Sequence, residues 1–180
     1  AAVEPEQSHV MLPLLGGRVG MGVTTLATHL AVMLQEMQAH DVRGANRRQQ
    51  AARSFASSQL PTDQATHAAL VDLGLPARDS LLYLNMAGNF SFVAAVQNLR
   101  RLDSTLLASA VEKHASGAAA LAWPTDLSLL REVSPASAAA VLKALRGILK
   151  AQVIDLGGMV QADFLAPVLH ECGAAWVVCD

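Results

Sequence analysis

The feature that most constrains this chain is a glycine-rich stretch between a short apolar run and an amphipathic one. Residues 16–25 read Gly-Gly-Arg-Val-Gly-Met-Gly-Val-Thr-Thr. The apolar run over residues 9–15 has the length of a buried strand, and leucine recurs every four positions after the glycines, which is typical of a helix packed on a sheet. A strand that turns through glycines into a helix offers inward-pointing N–H groups and the positive end of the helix dipole. The stretch therefore predicts a phosphate-binding turn, with threonine hydroxyls placed to ligate Mg²⁺.

The rest of the pattern predicts an α/β fold with a mostly parallel sheet flanked by helices. We expect strands at residues 9–15, 68–72, 118–123, 152–156 and 174–179. Pro13 is awkward in the first of them, because proline removes a ladder hydrogen bond. The residues expected to face the sheet from the first helix are Leu26, Ala27, Leu30, Ala31, Leu34 and Met37.

Two later helices carry clear start signals. Asp103 is a predicted N-cap, and Ser134 followed by Pro135 is a predicted N-cap with proline at the first helical position. The apolar positions of the second of these helices are Ala138, Val141, Leu142, Leu145 and Leu149. We expect that face to be buried.

The 180 residues fit one domain over residues 9–180, preceded by a tail over residues 1–8. Periodicity is lost over residues 41–64, which are rich in Arg, Gln, Ala, Ser and Thr, so we expect a long exposed insertion without fixed structure. A doubly wound nucleotide-binding domain normally continues beyond the last predicted strand through another helix and strand. On that topology the sequence is expected to be incomplete at its C-terminal side.

Composition excludes several classes of protein. Hydrophobic residues make up 52% of the chain and charged residues 16%, yet no apolar run reaches the roughly 18 residues that a membrane span requires. We therefore expect a cytoplasmic protein. The net charge is −2 and there is no long basic run, so a specific nucleic-acid partner is not expected. Cys172 and Cys179 lack metal or redox spacing and are expected to be free thiols.

The glycine-rich stretch resembles the deviant Walker A motif of the MinD/ParA-type P-loop ATPases, Lys-Gly-Gly-x-Gly-Lys-Thr-Thr. Aligning the threonines puts Arg18 at the signature lysine that reaches the partner subunit's nucleotide, and Val23 at the P-loop lysine. The resemblance implies that Thr24 ligates Mg²⁺ and that Thr25 touches the α-phosphate of ATP. The nucleotide-binding residues it implies are Gly17, Arg18, Gly20, Met21, Gly22, Val23, Thr24 and Thr25.

Two carboxylates extend the resemblance. Asp72 ends a strand as the family's aspartate near switch I does, and Asp155 ends a strand like that of the Walker B motif. With Thr24 they would form the Mg²⁺ site; the alternative is that both are strand-end caps without a metal. The family's second aspartate, which positions the attacking water, corresponds here to Gly74.

The middle of the chain resembles one branch of that family, the CpaE/TadZ proteins of Flp/Tad-type pilus assembly. The matching stretches are residues 102–107, 114–117 with the following strand to 124, and 153–156. The resemblance implies a homodimeric scaffold that localises to a cell pole and contacts pilus-assembly or secretion proteins. It also implies a place at the cytoplasmic face of the inner membrane, with peripheral membrane association through those partners.

Three functions remain open at this point. The first is a scaffold that binds ATP and Mg²⁺ weakly and hydrolyses ATP poorly or not at all, because the lysine and the second aspartate are missing. The second is a working ATPase in which Arg18 replaces the lysine, although Arg18 would equally suit a solvated loop. The third is a structural interaction module that binds no nucleotide.

Overall fold

One parallel sheet organises the computed structural model, which describes residues 9–51, 65–157 and 161–179, without the side chains of residues 43–51. The strands are β1 (Val10–Gly16), β2 (Ala68–Asp72), β3 (Ala119–Ala122), β4 (Ala151–Asp155) and β5 (Trp176–Val178). They lie in the order β3-β2-β4-β1-β5, and every neighbouring pair is parallel. The predicted α/β class is confirmed, and the strands fall where the apolar runs placed them.

Helices cover both faces of the sheet. They are α1 (Val23–Ala51), α2 (Asp79–Tyr83), α3 (Phe92–Gln97), α4 (Ser104–Ala110), α5 (Pro135–Arg146) and α6 (Ala162–Cys172), with 3-10 helices over Leu99–Arg101 and Leu127–Glu132. Both predicted caps are present: the Asp103 side chain accepts from the Leu106 N–H at 2.8 Å, and Ser134 accepts from the Ser137 N–H at 3.1 Å. None of the helices among the described residues is both long and apolar enough to cross a membrane.

The core has two parts, one on each face of the sheet. Successive strand residues point to opposite faces, so Val71 and Ile154 pack under α3, α5 and α6, while Leu70 and Val153 pack under α1 and α2. The predicted buried positions of α5 are confirmed up to Leu145, and Leu149 is buried just beyond the end of the helix.

Pro13 is accommodated without loss of a ladder hydrogen bond. The N–H groups of Val10 and Gly16 point to the β4 side of β1. Because the direction of the N–H group alternates from one strand residue to the next, an N–H at position 13 would point to the β5 side. The pairing with β5 begins one residue later, at Leu14. The missing N–H of Pro13 therefore lies just before β5 begins.

The face that α1 buries differs from the prediction. The residues that point into the sheet are Val23, Ala27, Ala31 and Gln35, spaced four apart. Leu30 and Leu34 flank this line, whereas Leu26 and Met37 are exposed. Because alanine has almost no side chain, it lets the helix backbone approach the sheet closely, and the leucines pack beside the contact rather than in it.

Gln35 is a buried polar residue that joins α1 to the start of β2. Its Oε1 accepts from the N–H groups of His67 at 2.7 Å and Ala68 at 2.9 Å, and its Nε2 donates to the Ala65 carbonyl at 3.0 Å. The side chain has no exposed surface. It thereby satisfies three backbone groups at the start of β2 and just before it.

The first part of the expected insertion is helical. The helix α1 continues to Ala51, so the prediction of a segment without regular structure is wrong for residues 41–51. Alanine, glutamine and arginine are good helix formers, and the single Gly44 costs only about 1 kcal/mol. Residues 52–64 and the predicted tail, residues 1–8, lie outside the described residues.

Candidate phosphate-binding site

The glycine-rich turn forms a loop over residues 17–22 between the end of β1 and the start of α1. Gly20 and Gly22 have φ values of 86° and 75°, in the left-handed region that glycine adopts without a steric penalty. A Cβ added to either glycine would meet no atom within 4 Å. Backbone conformation, rather than crowding, therefore requires glycine at these two positions.

The start of α1 supplies backbone donors. The first helical hydrogen bond runs from the Leu26 N–H to the Gly22 carbonyl at 2.9 Å. The N–H groups of Val23, Thr24 and Thr25 precede it, and none of them has a backbone partner within the described part of the chain. These donors and the positive end of the helix dipole favour an anion at this position.

A cavity of about 340 Å³ lies against this loop. Seven of the eight predicted nucleotide-binding residues line it: Arg18, Gly20, Met21, Gly22, Val23, Thr24 and Thr25. Gly17 is set apart, because its N–H donates to the Val178 carbonyl at 2.9 Å and ties the loop to β5. Across the cavity lie Leu75, Pro76, Asp79, Tyr83 and Gly157.

Val23, at the position aligned with the P-loop lysine, is a core residue. It is 6% exposed and belongs to the apolar cluster that includes Leu14, Ala27 and Val153. Met21 also packs partly against this cluster. The cavity beside the loop therefore stays open, but its walls carry no ammonium group at position 23.

Asp72 and Asp155 lie side by side at the carboxyl ends of β2 and β4, where their Cα atoms are in register. Asp155 is fully buried, and its Oδ1 accepts from the Gly157 N–H at 2.9 Å. Burial raises the pKa of this carboxyl, and a contact with the Thr24 hydroxyl acts in the opposite direction. Within the described residues, Oδ2 of Asp155 is buried without a partner at full hydrogen-bond geometry. Such an orphaned oxygen fits a cation ligand.

Asp72 is occupied by the segment that follows β2. Its Oδ2 accepts from the Ser80 hydroxyl at 2.6 Å and the Ser80 N–H at 3.3 Å, and its Oδ1 accepts from the Gly74 N–H at 3.2 Å. Burial, together with the nearby charge of Asp155, raises the pKa of Asp72 to about 6 in spite of these bonds. Of the three predicted Mg²⁺ ligands, the structure brings Thr24 and Asp155 together and gives Asp72 the geometry of a strand-end cap.

Gly74, at the position of the family's second aspartate, is closely packed. A Cβ on Gly74 would stand 3.0 Å from the backbone nitrogen of Gly157 and 3.1 Å from its Cα. The loops after β2 and β4 thus touch backbone to backbone. A side chain at position 74 would push them apart.

Asp79 and Tyr83 are site residues that the sequence did not reveal. Both lie on α2 and reach the cavity because the segment after β2 folds back over the glycine loop. The charge of Asp79 contributes to the raised pKa of Asp155. The only local signal was an aspartate at the start of a short helix, which is typical of helix starts in general.

The residues at the loop fit Mg²⁺ only together with a phosphate. Within the described ranges, no group of three or more His, Cys, Asp or Glu side chains is placed to hold a metal ion. Mg²⁺ is commonly held by one or two protein oxygens, with phosphate oxygens and water completing the octahedron. The Thr24 hydroxyl and the orphaned oxygen of Asp155 suit that kind of site.

Comparison with known proteins supports the fold. No protein-family model matches the chain, and no curated protein matches its sequence significantly. Among solved structures, the chain is similar to a ParA family ATPase from Chlorobium tepidum TLS, with a TM-score of 0.70 and 15% sequence identity. The match covers 96% of this chain and 60% of that one. At this identity the likeness shows a shared fold, and the chain spans 60% of the length of that structure.

Proposed function

We propose that this chain is a ParA/MinD-like protein that binds ATP with Mg²⁺ weakly and hydrolyses it poorly or not at all. The observation that carries the proposal is a phosphate loop with open backbone donors beside a 340 Å³ cavity, whose lysine position is filled by the core residue Val23. The donors that bind phosphate are kept, whereas the charge that drives turnover is missing.

The energetics separate binding from hydrolysis. A charge-assisted hydrogen bond contributes about 1.5–3 kcal/mol, so losing the lysine weakens nucleotide affinity by about 10- to 100-fold and leaves the contribution of the backbone donors. Hydrolysis depends more strongly on groups that act on the charge and geometry of the transition state. Both such groups are replaced here, by Val23 and by Gly74 packed on Gly157.

Thr24 and Asp155 are the residues that would hold Mg²⁺. The cation, when bound with ATP, neutralises charge on the phosphate oxygens. Asp72 then acts indirectly, because its bonds to Ser80 and Gly74 fix the segment that forms the far wall of the cavity.

We further propose a homodimer formed through the face around the cavity. Several large apolar side chains are exposed there or on the adjoining surface of α1 and α2: Val19, Leu26, Met33, Leu75, Leu82 and Tyr83. A second cavity, of about 490 Å³, shares Thr25 and Tyr83 with the first and is lined by apolar side chains of α1 and α2 together with His29 and His114. Clustered apolar surface of this kind is typical of an interaction site.

The biological setting follows from the resemblance to the CpaE/TadZ branch. We propose a polar-localising scaffold in Flp/Tad-type pilus assembly, in contact with pilus or secretion proteins. It would act in the cytoplasm at the inner membrane near a cell pole, and reach the membrane through those partners.

A second candidate function is a working ATPase that uses Arg18. The observation in its favour is that Arg18 lines the same cavity, and a guanidinium matches phosphate oxygens in geometry and charge. On this alternative, phosphate release would exceed background and would fall on Arg18→Ala.

The test combines calorimetric titration of ATP–Mg²⁺ with a phosphate-release assay on the same preparation. We expect saturable binding and release at background. Gly22→Ala should weaken binding, whereas Gly173→Ala should not. Gly173 is the matched control because both glycines have a left-handed backbone and open space where a Cβ would lie, but Gly173 ends α6. No heat at millimolar nucleotide would remove the ligand from the proposal and leave the nucleotide-independent interaction module.

A further inference from the structure

Two charged side chains line the phosphate-loop cavity among the described residues, and one of them is an acid. Arg18 lies on the loop, and Asp79 lies on the facing segment. A carboxylate beside a polyphosphate is repulsive in a cavity whose lysine position holds valine. Asp79 therefore offsets part of the attraction that Arg18 and the loop amides exert on the same anion.

The position of Asp79 is fixed on both sides. The residue before it, Arg78, has a left-handed φ of 71° and donates to the carbonyls of Trp123 and Ala87. The residue after it, Ser80, is buried and bonded to Asp72 through both its N–H and its hydroxyl. Asp79 is therefore held at the cavity wall between two anchored neighbours.

A second observation comes from Asp155, which lies next to the cavity wall at Thr24. Oδ2 of the fully buried Asp155 has no partner at full hydrogen-bond geometry within the described residues, and the carboxyl contacts the Thr24 hydroxyl, which itself lines the cavity. A buried carboxylate oxygen without a partner is costly unless a ligand satisfies it. Oxygen donors from Thr24, Asp155 and Asp79 are the kind that Mg²⁺ prefers.

We propose that Asp79 makes the loop selective for a polyphosphate that carries a divalent cation. Together with Thr24 and Asp155 it offers oxygen donors to the cation, and its charge rejects the metal-free anion. The cation thus takes over the neutralising role that a lysine would have. This inference rests on the proposed function, because it requires that the loop binds polyphosphate.

The measurable consequence is coupling between the two ligands. If Mg²⁺ raises the affinity for polyphosphate by a given factor, polyphosphate raises the affinity for Mg²⁺ by the same factor, and such factors are typically about 5- to 150-fold. Removing the Asp79 charge should lower this coupling factor by changing both polyphosphate affinities, with Mg²⁺ and without it. Metal-free polyphosphate should bind more tightly, and the magnesium complex more weakly.

The experiment is calorimetric titration with tripolyphosphate and with ATP, each in excess Mg²⁺ and in EDTA. We expect wild type to prefer the magnesium form by about tenfold or more, and Asp79→Asn to reduce that preference by about fivefold or more. Asp79→Glu should keep the preference. The matched control is Asp163→Asn, which removes an exposed aspartate from the first turn of α6. Circular dichroism and melting temperature should show that each variant is folded.

The outcomes separate this inference from the proposed function. If neither probe binds in any condition, the proposed nucleotide binding fails and this inference fails with it. If the probes bind but Mg²⁺ has no effect, or Asp79→Asn changes both affinities alike, only the role of Asp79 is overturned. A preference that falls in Asp79→Asn and persists in Asp79→Glu and Asp163→Asn supports it.

Discussion

Restoring the missing lysine is the perturbation that bears most directly on the energetics of the loop. Val23 borders both the apolar cluster under α1 and the phosphate-loop cavity. In Val23→Lys a side chain of sufficient length can carry an ammonium from the cluster toward the cavity. Val23→Met is the matched control, because it adds similar length without charge.

The expected gain in affinity follows from a single charged contact. An ammonium donating to a phosphate oxygen contributes about 1.5–3 kcal/mol, which corresponds to about 10- to 100-fold tighter binding of ATP–Mg²⁺. Without ligand, the same lysine should destabilise the fold by about 1–3 kcal/mol, because position 23 is 6% exposed and its neighbours are apolar. Nucleotide should therefore raise the melting temperature of Val23→Lys more than that of wild type.

The assay is calorimetric titration of wild type and both variants, with phosphate release measured alongside. Val23→Lys should bind at least tenfold more tightly than Val23→Met and still release phosphate at background, since position 74 has no carboxylate. If the two variants bind ATP within about twofold of each other, position 23 does not face the phosphates and the alignment of the loop is wrong.

Three further predictions concern stability. Gln35→Leu leaves three backbone groups without partners and should lower the free energy of unfolding by about 3 kcal/mol or more. The matched control, Gln97→Leu at an exposed position, should lower it by less than about 1 kcal/mol in the same urea titration. Gly74→Ala should destabilise the fold by about 1–3 kcal/mol, because its Cβ would lie 3.0 Å from a backbone atom. Gly17→Ala, whose Cβ would lie 3.5 Å from the nearest atom, should be near neutral by thermal melting. Equal costs for the two variants would contradict the tight contact at Gly74. Asp72 has its pKa raised from 3.8 to about 6, so its contribution to stability is full below pH 4 and is lost as the pH rises through 6. Unfolding of Asp72→Asn and wild type at pH 4.5 and 7.5 should therefore show the variant gaining about 2 kcal/mol relative to wild type at the higher pH. A difference that is independent of pH would refute the shift.

The elements that depend on local pattern were predictable from the sequence. Gly20 and Gly22 mark the turn because a left-handed backbone selects glycine, and the caps at Asp103 and Ser134 require only neighbouring residues. The strands followed from short apolar runs bounded by polar or glycine residues. These signals act within a few residues, so no tertiary context is needed to detect them.

The features that depend on contacts between distant segments were not predictable. The burial of Gln35 depends on the chain returning to it at residues 65–68, and the close approach of Gly74 to Gly157 depends on the packing of two loops. Asp79 became a site residue only because the segment after β2 folds over the glycine loop. The prediction that the leucines of α1 face the sheet was wrong for a similar reason. Which residues of the helix are buried depends on how closely the helix approaches the sheet.

The central claim is that the backbone amides at the start of α1 still bind phosphate although the lysine position holds valine. Amide chemical shifts measured by NMR during titration with ATP–Mg²⁺ test it most directly. The account predicts saturable shifts for residues 20–25 and none for residues 136–138 at the start of α5, where Ser134 already accepts from the N–H groups of Ser137 and Ala138. Unchanged shifts at residues 20–25 in millimolar nucleotide, or equal shifts at both helix starts, would contradict it.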